Sequence, residues 1–409
     1  MRASLLPTQA QATQRGAAMM IMIVIMVVGI ITILVGALSS SALQSARVER
    51  TSNALAQAKD ALIGRAVSDE NMPGSLPCPD TDDDGSSELL TGNHCPSYIG
   101  RLPWRTLGLP DLRDGSGERL WYALSPAFRD DDAARPLNSN TKGTLLIYGT
   151  DGATAQTAAG YDAVAVIFAP GSPLSTGSPI RIQTRITVAQ KIDAANYLDG
   201  ANSRDNTTAT PTSAGPFIAG AKSPTFNDQL LLITTKDVIP LVEQRVAAEV
   251  ITALTLYRTL NGYYPWADSV PSSSDYDANA GLNRGWLPDS AAVGGGNPTP
   301  DWDTSNPPSW FFANEWYTLI YYSLAKNRKP PGSCTSCIDN SLTVDGTNGV
   351  GAVFFMPGTP IGTLVRSAIT LPDYLETQTG LIQNNDNADD RYVTPASTDK
   401  DRDRIYLMP

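Results

Sequence analysis

Histidine is almost missing: His94 is the single one in 409 residues. A serine hydrolase needs only one, but any metal centre built on several imidazoles is excluded. The chain also lacks GxSxG, a Walker loop, HExxH and a GxGxxG set between strand and helix, so no motif supports an enzyme. Basic residues are outnumbered, with 30 Lys and Arg against 41 Asp and Glu and a formal charge of −11. They form no cluster, which argues against binding to a nucleic-acid backbone. Cysteine is scarce and falls in two local pairs, Cys78 with Cys95 and Cys334 with Cys337. Four thiolates can hold zinc, but only the second pair has CxxC spacing. In an exported chain two local disulfides are the better reading. "CTSC" follows "KNRKPPGS" in a loop with no helix behind it, which suits a structural staple better than a redox centre.

Two further absences shape the N-terminus. No charge interrupts residues 17–38, "AAMMIMIVIMVVGIITILVGAL", and no proline occurs between Pro7 and Pro73. About 20 apolar residues at ~1.5 Å each match a ~30 Å hydrocarbon core, so 17–38 is expected to be transmembrane. Arg2 and Arg15 precede it, which places the N-terminus in the cytoplasm and the remainder outside. The expected localisation is the inner membrane, single-pass with a periplasmic head, then filament or cell surface. Beyond 38 the sequence stays rich in Ala, Leu, Arg and Gln, with Leu43, Leu55, Ala58, Leu62 and Ala66 on one stripe. One helix over 17–66 would be roughly 75 Å long.

"QRGAAMMIMIVIMVVGIITILVGAL" resembles the start of type IV pilins and type II secretion pseudopilins. The resemblance covers roughly the first 65 residues. It implies a basic leader, residues 1–16, cut after Gly16 by a prepilin peptidase, with Ala17 as the methylated mature N-terminus. It also implies other pilin or pseudopilin subunits as partners. Most members carry Glu at the fifth mature position, where this chain has Ile21. The family's tip pseudopilin also lacks that Glu and has an enlarged head. The expected function is therefore a minor pilin or pseudopilin at or near a filament tip. The alternative is a stand-alone membrane-anchored protein that binds glycan or a surface.

The head repeats itself. "LWYALS" (120–125), "FAPGSP" (168–173), "NYLDG" (196–200) and "NDQLLLIT" (227–234) return in order as "IYYSLA" (320–325), "FMPGTP" (355–360), "DYLET" (373–377) and "DRDRIYLM" (401–408). A second helix should open the second copy. Val242, Val246, Val250, Leu254 and Tyr257 share a face, with Asp237 as N-cap, Pro240 in the first turn and Gly262 as the stop. The expected fold is α+β: a long N-terminal transmembrane helix, then two tandem pilin-like domains, each a helix packed on an antiparallel sheet. The first spans 67–236 and the second 237–409.

Three segments are candidate sites. "DTDDDG" (80–85) alternates Asp80, Asp82 and Asp84 before Gly85, and alternating hard oxygen donors before a sharp turn are what Ca²⁺ requires. Ser86, through its carbonyl, and Glu88 can complete the set. The closing Glu of an EF-hand is missing, since Thr91 stands at that place. A Cys78–Cys95 disulfide would hold this loop compact. Calcium in pseudopilin heads is a feature the resemblance also implies. The second copy offers a poorer set at Asp275, Asp277 and Asn279. In 100–125, Trp104, Trp121 and Tyr122 read either as a binding surface or as core, with Asp111, Arg113, Asp114 and Arg119 in an ion-pair network. Last, Trp266, Trp286 and Trp302 lie in or beside a long Trp-rich loop, where exposed rings among Asp and Asn would suit a carbohydrate.

Overall fold

Helix α1 (Gln14–Ser68) runs unbroken for 55 residues, as its freedom from proline predicts. The structure is a computed structural model that describes residues 14–131, 135–158, 163–175, 182–210, 212–269, 281–288, 307–334, 337, 340–360, 366, 374–375, 385, 389–394 and 403–408. The two ends of α1 differ. From Thr51 onward it buries Ala54, Leu55, Ala58, Leu62 and Ala66 against a sheet. Toward its start, Met19–Val28 and Ile30 stand exposed.

The membrane expectation is corrected here. Among the described residues, no helix is long and apolar enough to cross a membrane. The transmembrane element at 17–38, and the single-pass inner-membrane placement built on it, are overturned.

The head is mixed α+β. Strands β1 (Ile99–Arg101), β2 (Trp121–Leu124), β3 (Ala163–Ala169) and β4 (Gln229–Thr234) form an antiparallel sheet in that order. Helix α2 (Thr235–Asn261) follows β4 with no residue between. Strands β5 (Arg284–Trp286), β6 (Tyr321–Leu324), β7 (Ala352–Met356) and β8 (Arg404–Met408) repeat the same antiparallel order. Several smaller sheets accompany them, so neither half is merely one helix on one sheet. Each half adds a short parallel pair: 147–148 with 217–218, and 343–344 with 391–392. Strand β3, "AVAVIFA", is buried along its whole length, as a run covered on both faces must be.

The two halves agree bond by bond. The Tyr122 hydroxyl donates to Pro77 O at 3.3 Å and the Tyr322 hydroxyl to Pro265 O at 3.2 Å. Asp80 exchanges two backbone hydrogen bonds with Arg101, and Asp268 does so with Trp286. Leu76 N donates to Phe128 O, and Tyr264 N to Arg328 O. Behind these pairs lies a motif, Gly74-x-x-Pro77-x-x-Asp80 and Gly262-x-x-Pro265-x-x-Asp268. At Gly100 and at Gly285 an added Cβ would overlap the carbonyl oxygen of that same Asp, so each strand needs a glycine where the motif crosses it.

The helices repeat in the same register. Thr51, Ala54, Leu55, Ala58, Leu62 and Ala66 match Ile239, Val242, Glu243, Val246, Val250 and Leu254, all buried. Helix α2 begins at Thr235, so Asp237 is its third residue and not its N-cap. Its carboxylate reaches back to accept from Thr234 N and Oγ1, at 2.8 and 3.0 Å. Pro240 accordingly sits beyond the first turn. Gly262 does end the helix, with φ +79. The last strand is shifted by one residue from the sequence alignment. Phe168 pairs with Leu230 while Phe355 pairs with Ile405, which makes Asp403, not Arg402, the counterpart of Asp228.

One core cluster runs through both halves, from Leu62 and Phe168 to Val246 and Phe354. Lys59 Nζ reaches Asp237 Oδ1 at 2.9 Å, and Arg245 Nη1 donates to the carbonyls of Val67 and Asp69. Asn314 accepts from Leu137 N at 2.9 Å and donates to Asn71 O.

Candidate functional site

The acidic loop grows from the first Gly-x-x-Pro-x-x-Asp turn. Cys78 and Cys95 are disulfide-bonded, with Cα atoms 5.5 Å apart, and close the loop at its base. Asp80 is only 1% exposed. Its Oδ1 accepts from Asp82 N at 3.1 Å and Asp83 N at 2.7 Å, and its Oδ2 from Gly85 N at 2.7 Å. These bonds wrap the chain around one carboxylate. Gly85 has φ +89, and a Cβ there would lie 2.5 Å from the Trp104 indole nitrogen. Glu88 folds back over the loop, its Oε1 accepting from Thr81 N at 2.9 Å and Thr81 Oγ1 at 2.6 Å.

One carboxylate oxygen from each of Asp80, Asp82 and Glu88 lies within 4.8 Å of the others. A hard cation with bonds of ~2.4 Å bridges that distance. Asp84 does not join them. Its Oδ1 accepts from Ser86 N at 2.6 Å, and that bond holds its pKa below the usual carboxylate range. Burial pushes the Asp80 carboxyl up, while the N–H groups of Gly85, Asp83 and Asp82 oppose the rise. A cation beside it would favour the ionised form. Asp275, Asp277 and Asn279 lie outside the described residues, and the structural counterpart of Asp80 is Asp268 instead.

The aromatic segment 100–125 divides: Trp121 and Tyr122 belong to the core, whereas Trp104 is half-buried. Trp121 and Tyr122 are buried, and Asp111 pairs with Arg113 at 2.7 Å and Arg119 at 2.9 Å. Arg119 also reaches Asp83, tying the acidic loop to this network. The Trp-rich platform is corrected as well. Trp266 and Trp286 are 3% and 4% exposed, so neither ring offers a face to a ligand. The Lys329 ammonium stands 5.5 Å from the Trp266 ring centroid, and Trp286 meets Tyr321 and Tyr374 edge to face. Trp302 lies outside the described residues. Cys334 and Cys337 form the second disulfide.

Sequence reasoning missed a second acidic position. Glu243 is fully buried where the halves meet. It accepts from the Ser139 hydroxyl of the first half and from Gly358 N–H of the second. Gly358 lies in "FMPGTP". The corresponding glycine of "FAPGSP", Gly171, gives its N–H to the buried carboxylate of Asp114 at 2.8 Å. Both loops are thus tied to a buried acid, from α2 in one half and from the turn between β1 and β2 in the other. Aligning the helices from their Gly-x-x-Pro motifs exposes the signal, because Glu243 falls opposite Leu55.

No family model, curated protein or solved structure matches the chain.

Proposed function

We propose that this chain is a pilin-like minor subunit of a type IV pilus or type II secretion filament, standing at or near its tip. The observation that carries the reading is the division of α1: a C-terminal part seated in the head, and an N-terminal part where Met19–Val28 and Ile30 are exposed. Apolar area gains roughly 25 cal/mol per Å² when covered, so a patch of this kind marks an association surface. In this reading the cover is the matching helices of other subunits. A prepilin peptidase cuts between Gly16 and Ala17. Ile21 in place of Glu, together with a duplicated head, supports the tip over the filament body.

In the same reading the disulfide-closed loop takes Ca²⁺ through Asp80, Asp82 and Glu88. Its role is to neutralise three neighbouring carboxylates and stiffen the loop that Arg119 ties to the sheet.

Mass spectrometry of the chain isolated from its own cells tests the function. The expected result is a methylated N-terminus at residue 17 and co-purification with other pilin-like subunits. An N-terminus at any other residue, or a chain free of such partners, overturns it.

A further inference from the structure

We propose that Glu243 is a proton-operated latch at the junction of the two repeats: taking up a proton tightens the seat of the first repeat's 138–140 turn on the second, and losing it loosens that seat. The case begins with the counterpart position. Leu55 occupies the same place on α1 and is buried against the first sheet, so packing a helix on this sheet requires no acid there. The repeat that has Leu55 supplies its loop glycine with a carboxylate from elsewhere, Asp114. The repeat that has Glu243 uses the helix itself, and the same carboxylate then also takes the Ser139 hydroxyl of the other repeat. One titratable group therefore bonds both sides of the junction.

The surroundings fix the direction. The charged groups acting on Glu243 are Arg404 on β8 and Arg366 after β7, both from the second repeat. Tyr406, also on β8, faces it, and its own hydroxyl is pushed up by burial. Arg366 bonds the carbonyls of Pro357 and Gly358 and Asn140 Oδ1, while Arg404 bonds Pro240 O. Both guanidinium groups thus also bond acceptors besides any they share with Glu243, and among the described residues the first repeat's bond to this carboxylate is that of the Ser139 hydroxyl. Burial outweighs these helpers and raises the carboxyl's pKa above its ordinary 4.5. A raised folded-state pKa means that the stability from this group is fully present below the unfolded value and is lost as pH rises through the folded one. The junction is therefore tighter in mild acid.

The test reads the junction directly. Leu137 N donates across it to Asn314 Oδ1, and Gly358 N donates to Glu243. Exchange of these two amides, corrected for intrinsic rates, is measured from pH 5 to 8 in the wild type and in Glu243→Gln. Wild-type protection should fall about threefold or more across the range, while the Gln variant stays flat. Parallel profiles in the two proteins overturn the latch. Should the variant fail to fold, a ¹³C titration of the wild-type Glu243 carboxyl decides: a value above the ordinary one supports the latch, and a value at or below it overturns it.

Discussion

Asp80 organises its loop before any ion is considered, because three backbone N–H groups of that loop end on its carboxylate. An ion that binds only the folded loop adds stability by mass action, about 2.7 kcal/mol at a hundred times its Kd. Melting the purified chain in excess Ca²⁺ and again in chelator should therefore separate the two midpoints by several degrees, and Asp80→Asn should abolish the separation. Identical midpoints in the wild type would remove the ion from the account. Much of this loop was legible: alternating acids, a glycine at the turn and flanking cysteines. The departure of Asp84 was not, since which acid turns inward depends on the competing Ser86 N–H. The burial of Trp266 and Trp286 was equally hidden. Asp and Asn neighbours made them look exposed, but both are buried, with Tyr321 and Tyr374 packed on Trp286 and Lys329 on Trp266.

At the scale of elements, the buried stripe of α1 has a direct energetic consequence. Leu62 is completely buried at the contact of helix and sheet, whereas Arg50 is exposed on the same helix. Leu62→Ala should cost about 2–5 kcal/mol in urea unfolding, and Arg50→Ala within about 0.5 kcal/mol. Equal effects would mean that α1 is not seated as described. Helical period made both long helices readable, and the repeated "PG" loops and aromatic strands made the duplication readable. The single-residue shift of β8 was not, because a strand's alternation fits two neighbouring registers and only the pairing partners on β7 choose between them. The membrane expectation followed from an uncharged run, and among the described residues no helix is long and apolar enough to cross a membrane.

The whole molecule joins its repeats through one core and polar bonds on several elements. The Lys59–Asp237 pair, Arg245 on the carbonyls ending α1, and Asn314 beside Leu137 all cross between repeats. Heat should therefore unfold the head in one transition, with calorimetry and far-ultraviolet circular dichroism giving the same midpoint. Two resolved transitions would show that the repeats fold independently. Sequence similarity indicated two units but not their fusion into one body, because the residues that join them, Glu243, Asn314 and Ser139, have no part in the repeated motifs. The join also has a mechanical side. Strand β4 passes into α2 without a linker, and Thr234 both ends the strand and receives the first turn of the helix. There is no slack at that point. A pull along α1 would act in shear on its contacts with β4 and α2 together, so tension applied at the N-terminal end would reach the second repeat as directly as the first.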